Sequence, residues 1–263
     1  ELRERRSEWP GMNGERAKLV LAVQFLTRLP LRTDKMFTPE RMAQAPRYFP
    51  LVGILVGLVS AGVFWIAALV LPDFMAALLA VSAGLLLTGA FHEDGLADTF
   101  DGIGGGHTPV RALEIMKDSR LGTYGTAALF LALAIKVGAL SAIPPIWVCA
   151  ALPVAHCVSR FSAVCVIATS RYVREEGTGK PVATGISASS LIIAGFTALG
   201  AVAVGAVLFP FVSLLSGIVS LCFAHVLMRL FFEPKLGGYT GDTLGAVQQA
   251  SEIGFYLGLL AWL

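Results

Sequence analysis

Four carboxylates and a histidine crowd into one short stretch, "FHEDGLADTFDGIGGG" at Phe91–Gly106. On a helix, Asp94, Asp98 and Asp101 fall within an arc of about 60° along about 10 Å of axis. Two such charges ~6 Å apart repel by about 3 kcal/mol at an effective dielectric near 20. A bound cation removes that repulsion, and oxygen-only ligands suit a hard ion such as Mg²⁺. Glu93 points about 100° away from the stripe. His92 fits three roles: a general base, a metal ligand, or a polar group at a lipid interface. Gly102, Gly104, Gly105 and Gly106 would end the helix and let backbone approach a ligand, but no GxxxxGK[ST] phosphate loop is present. A solvated helix end with chance spacing is the competing reading.

Further charged segments could serve the same chemistry. "LEIMKDSRLGTYG" offers Lys117, Asp118 and Arg120. "SRYVREEGTGKP" offers Arg171, Arg174, Glu175, Glu176 and Lys180 around two glycines. "KLGGYTGDTLGA" holds Asp242 among glycines and threonines. Arg160 sits inside an apolar run, where an unpaired charge is so unfavourable that it implies a partner. Carboxylates for a metal, with Arg and Lys for phosphate oxygens, are the parts of phosphoryl transfer. Singly, each basic segment reads as a membrane anchor; together they point to a phosphate site on one side of a membrane.

Membrane character follows from composition and run length. The chain is 56% hydrophobic and 14% charged, against roughly 25% charged in soluble domains. Residues 48–71, 74–91, 124–143, 145–169, 188–209 and 211–232 each approach or exceed the ~20 apolar residues of a bilayer span. Residues 242–263 form a weaker candidate with Glu252 inside it. The expected fold is all-α: a polytopic helical bundle with about six or seven transmembrane helices. Residues 17–30 add an N-terminal interfacial or re-entrant helix. Residues 1–16 are too charged for a signal peptide and read as an extension to a single membrane-embedded domain spanning 1–263. Gly53 and Gly57 fit close helix packing in lipid.

Charge placement sets an orientation. Ten of the 20 Lys and Arg residues precede Tyr48, and most of the others lie in alternate connections. The intervening connections, at 71–73, 143–145 and 209–211, carry none, and Asp73 is the one charge expected on the far side. The basic side is cytoplasmic by the positive-inside rule, and the spans pair into tight hairpins. A net charge of +2 reflects this loop asymmetry and excludes a nucleic-acid-binding face. Cys149, Cys157, Cys165 and Cys222 lie in apolar runs without CxxC spacing and read as small hydrophobes. His107 reads as exposed, and His156 and His225 as hydrogen-bonded packing residues.

The motifs also resemble a known family, the cobalamin synthases or adenosylcobinamide-GDP ribazoletransferases. "FLTRLP", "FPLVG", "HEDGLADTFDG", "LEIMKDSRLGTYG", "RYVREEGTGK" and "GGYTGDTLGA" occur in that family's order, from about Ala17 to Glu252. The resemblance implies a Mg²⁺-dependent enzyme of the bacterial inner membrane with a cytoplasmic active site. It would join adenosylcobinamide-GDP to α-ribazole or its 5′-phosphate and release GMP. Homo-oligomers, or association with other cobalamin-assembly enzymes, are compatible with it, as is direct contact with membrane lipid. The acidic motif is also similar, in part, to that of CDP-alcohol phosphotransferases, whose longer aspartate spacing is absent. Asp118 and Asp242 therefore compete for the remaining metal and catalytic roles. Two alternatives stay open: a phosphotransferase acting on a nucleotide-activated lipid alcohol, and a cation or proton transporter with intramembrane acids.

Overall fold

The computed structural model describes residues 14–33, 35–174, 182 and 185–263. α1 (Gly14–Leu26) is followed by a short α2 (Pro39–Gln44) and a 3-10 turn, Ala45–Tyr48, that runs straight into α3 (Phe49–Ala68). Next come α4 (Asp73–Thr88), α5 (Phe91–Gly105), α6 (Pro109–Ile115), α7 (Thr123–Ala142) and α8 (Pro145–Thr169). Then follow α9 (Ala188–Leu208), α10 (Phe211–Leu236) and α11 (Gly241–Leu260). Among the described residues there is no strand, only an isolated bridge between Tyr172 and Tyr239. α1 begins at Gly14, inside the segment expected to be an extension. Glu15 belongs to the fold, accepting hydrogen bonds from Arg47 at 3.1 Å and from the Tyr48 hydroxyl at 2.6 Å.

Five helical stretches are long and apolar enough to cross a bilayer: Pro39–Ala68, Thr123–Ala142, Pro145–Thr169, Ala188–Leu208 and Phe211–Leu236. A sixth exists only if α4 and α5 count as one bent span, since their axes meet at 88°. The total sits at the lower edge of expectation for two physical reasons. α4, with 16 residues, is ~24 Å long, short of a ~30 Å hydrocarbon core. α11 carries Gln248, Gln249 and Glu252, all buried, so it is too polar to face lipid and lies inside the bundle. The bend itself is made by Gly89 (φ +66°) and Ala90 (φ +55°), both left-handed. For Ala90 that conformation costs ~1 kcal/mol.

Pro72, Pro144 and Pro210 occupy the N-caps of α4, α8 and α10 with extended ψ. Proline cannot continue the preceding helix, which makes these connections sharp. Sharp connections do not make every neighbouring pair pack, however. α3 lies against α4, but α9 and α10 touch only sparsely, as do α7 and α8. The extensive contacts are α3 on α8, where Gly53 and Gly57 meet the backbone of His156 and Pro153, and α10 on α11. The Ser213 hydroxyl donates to Trp262 O at 2.7 Å, tying the start of α10 to the end of α11 as an antiparallel pair. Large apolar side chains such as Phe196, Val207, Phe211 and Phe223 remain exposed, as lipid-facing residues should be.

A charged cluster joins four helices inside this apolar shell. Lys136 Nζ on α7 lies 2.9 Å from Glu252 Oε1 on α11 and 3.6 Å from Glu93 Oε1 on α5. Gln249 Nε2 donates to Glu93 at 2.8 Å, and Gln248 Nε2 to Glu252 at 2.6 Å. On α8, His156 Nδ1 is 3.2 Å from Glu252 Oε2 and 3.0 Å from Arg160 Nη1. Two acids face two bases, so the cluster balances its own charge. Replacing Lys136 by Met should leave Glu93 and Glu252 one buried cation short and destabilise the protein by about 3 kcal/mol or more. Thermal unfolding in detergent reads this out, and an unchanged Tm would mean that the cluster does not hold the bundle together.

The topology has its own test. With the four native cysteines replaced, single cysteines at Asp73 and Lys117 should react with an impermeant maleimide from opposite faces of sealed vesicles. Reaction of both from one face would contradict the order of crossings.

Candidate active site

The C-terminal end of α5 is gripped twice. Its last turn is capped by Lys235, whose Nζ donates to Ile103 O at 2.6 Å, a cation on the orphan carbonyls of a helix C-terminus. The buried Asp101 accepts from Gly122 N at 2.7 Å and Gly125 N at 2.8 Å. It thereby caps the start of α7 and satisfies amides that the helix leaves unpaired. Ahead of these anchors on the same helix, Asp94 is exposed and Asp98 half-buried. Neither makes a hydrogen bond or ion pair among the described residues.

α11 crosses this helix in backbone contact. A Cβ added at Gly95 would sit 2.7 Å from Asp242 O, and one added at Gly245 would sit 2.8 Å from His92 O. Only glycine allows that approach, which places Asp242, in the first turn of α11, beside the aspartate stripe. The turn is fixed by a capping box in which Thr240 and Thr243 each bond the other's backbone amide. The preceding loop zips onto the segment after α8: Tyr239 N donates to Arg171 O at 2.8 Å and Val173 N to Tyr239 O at 3.0 Å. Arg171 Nε donates to Gly237 O at 2.7 Å. This pairing carries Arg174 in, with Nη2 2.6 Å from Asp242 Oδ2. Three of the charged motifs thus converge on one end of the bundle.

Other expected residues lie elsewhere. Asp118 forms an exposed pair with Arg120, Nη2 to Oδ2 at 2.6 Å. Hydrogen bonds from Arg120 hold its carboxyl down at about 2. Asp118 is therefore not gathered with Asp94 and Asp98, contrary to its expected place among the metal ligands. Lys117 and Arg120 are exposed on the loop ahead of α7. Arg160, expected at the phosphate site, is 2% exposed within the bundle, donating to His156 O at 3.0 Å. His92 is buried between two small cavities, one polar and lined by Glu93, Lys136 and Glu252, the other apolar and lined by Phe25, Phe49 and Phe91. Glu93 faces away from the stripe as expected, but into the charged cluster. Lys180, Glu175 and Glu176 lie outside the described residues.

The cluster's Lys136, Gln248 and Gln249 went unread in the sequence. A signal existed for Lys136, which stands alone in an apolar run where a charge demands a partner.

The donor set fits a hard divalent cation. Among the described residues no three His, Cys, Asp or Glu side chains come together as a ready-made metal cage, because Asp101 and Asp242 have partners. Asp94 and Asp98, one turn apart and without partners, are left. Mg²⁺ keeps waters and is commonly held by one or two carboxylates plus substrate phosphates, and two carboxylates beside Arg174 match that pattern.

Comparison with known proteins is consistent across the chain. Residues 18–260 match the family described as cobalamin-5-phosphate synthase. An adenosylcobinamide-GDP ribazoletransferase of Shewanella frigidimarina is 43% identical over 249 residues, covering 92% of this chain and 93% of the relative. Proteins of the same name from Vibrio parahaemolyticus and Ralstonia pickettii are each 43% identical, covering 92% of this chain and 91% and 94% of themselves. No solved structure matches. On the strength of a match that runs through every motif around the aspartate stripe, the chain belongs to the cobalamin-5-phosphate synthase family.

Proposed function

We propose that this protein transfers the adenosylcobinamide-phosphate group of adenosylcobinamide-GDP to α-ribazole or its 5′-phosphate, releasing GMP, at the cytoplasmic face of the bacterial inner membrane. The observation that carries the reading is the pair of partnerless carboxylates, Asp94 and Asp98, beside Arg174 in a chain of this family. Asp94 and Asp98 would hold Mg²⁺, which, when bound, offsets the charge building on the diphosphate oxygens. Arg174 donates to a phosphoryl oxygen, and Arg171, Lys117 and Arg120 line the approach with positive charge. Asp101 keeps the loop that carries Lys117 and Arg120 tied to α5. A ribose hydroxyl of the acceptor attacks the phosphorus on the cobinamide side. One P–O bond forms, the P–O bond to GMP breaks, and GMP leaves with the electron pair. A carboxylate of the aspartate stripe takes the hydroxyl proton, since His92 is buried behind it. The cytoplasmic side follows from the basic loops, and the apolar bundle keeps a bulky substrate at the membrane surface.

Two outcomes are expected from purified protein in liposomes with donor, acceptor and Mg²⁺. GMP and the cobalamin product should appear in equal amounts, and EDTA should abolish both. Release of GDP in place of GMP would place the attack at a different bond and overturn the mechanism.

Asp94→Asn and Asp98→Asn should each lower kcat/KM roughly 100-fold or more and raise the Mg²⁺ concentration required. Asp118→Asn, at an exposed pair, should change little. Equal tolerance of all three substitutions would return the stripe to a solvated helix end.

A further inference from the structure

Around the Arg174–Asp242 pair, two polar atoms are shut off from solvent and lack a hydrogen-bond partner among the described residues: Tyr172 Oη and Arg174 Nε. Arg174 Nη2 and Asp242 Oδ2, 2.6 Å apart, satisfy each other, so Arg174 Nε is the guanidinium donor that stays available. Buried polar groups in folded proteins are nearly always satisfied, and those that are not mark a function or a missing ligand. Two together, on a segment that converges on the aspartate stripe, point to a ligand at that place.

Tyr172 is the member of this group that neither the motifs nor the charge pattern singled out. Its position is well determined. The backbone on either side is paired through Arg171 O and Val173 N to Tyr239, and its ring stands edge-on to Tyr239 with centroids 5.5 Å apart. The hydroxyl lies near enough to Arg174 and Asp242 for both charges to act on it. A phenol donates one hydrogen bond, and the guanidinium Nε adds a second donor in a fixed position beside it. Two donors beside the partnerless carboxylates Asp94 and Asp98 complement a diphosphate, whose oxygens accept on several sides.

We propose that the Tyr172 hydroxyl contacts the substrate directly, donating to a diphosphate oxygen alongside Arg174. The inference rests on the phosphoryl-transfer reading above and adds a substrate-binding residue to it. It also carries a consequence that separates it from a structural role. An internally satisfied hydroxyl stabilises the protein, whereas an orphaned one is removed at no loss or with a gain.

The test is Tyr172→Phe in the full chain, purified in detergent. Its Tm should equal or exceed that of the unaltered protein. Affinity for GDP with Mg²⁺, measured by calorimetry, and kcat/KM for the GDP-activated donor should both fall roughly tenfold or more. A lower Tm would show that the hydroxyl has a partner within the fold and would overturn the proposal, as would unchanged GDP affinity and turnover. Should the unaltered protein neither bind GDP nor release GMP, the functional reading fails first, and that outcome is distinct from failure of the tyrosine alone.

Discussion

At Gly95 and Gly245 the backbones of α5 and α11 touch, and the site's composition follows from that closeness. The crossing sets Asp242 against the aspartate stripe although 140 or more residues separate them in the chain. A single methyl group at either glycine would push the helices apart and open the site. The crossing brings a second layer with it, because α11 carries Gln249 and Glu252 one and two turns further in, where they meet Glu93 and Lys136. The polar interior and the external carboxylates are therefore two consequences of one packed pair. Glu93 and Asp94 are neighbours on α5, one facing the buried cluster and the other facing out.

Crowded carboxylates raise an electrostatic problem that the fold settles by dividing them. Asp101 is neutralised by two backbone amides, and Asp242 by a guanidinium. Asp94 and Asp98 are left without either. The first two rigidify the surroundings: Asp101 fixes the loop ahead of α7, and Asp242 fixes the segment after α8. The second two keep their lone pairs available. Four similar residues thus take two different roles through their neighbours rather than through their own chemistry.

Much of this was legible in the sequence, and the reasons for the exceptions are physical. Bilayer crossing demands long apolar helices, so the spans announce themselves in composition. The 88° bend between α4 and α5 does not, because hydropathy runs on across Gly89 and Ala90. Which spans pack was also hidden: a sharp proline connection fixes sequence neighbours, whereas contact is decided by small residues such as Gly53 and Gly57 meeting another helix. The aspartate stripe was readable because helical periodicity places its members on one face. The tie from Asp101 to Gly122 and Gly125 was not, since backbone donors leave no mark in a sequence. Arg160 was read correctly as a charge in need of a partner and assigned to the wrong place. Its partner is His156, one helical turn away, within the bundle rather than at its rim.

The contrast between the two polar regions bears on what each is for. In the interior, Lys136, Glu252, Glu93 and Gln249 are connected to one another, and breaking any link exposes a charge to a low-dielectric surround. At the rim, Tyr172 and Arg174 hold polar atoms that no described neighbour satisfies. Folding alone would favour satisfying them; the interior leaves Glu93 Oε2, Arg160 Nε and Gln249 Oε1 open as well, but ties each of those side chains down through its other atoms. Leaving them open lowers stability locally, a pattern associated with sites that a ligand completes. The interior cluster can bear that strain because it pins α5, α7, α8 and α11 to one another directly behind the stripe. A core cross-linked by charged and amide side chains directly behind the stripe is what positional catalysis of phosphoryl transfer asks for, since the transferred group needs donors already in place rather than donors recruited from the fold.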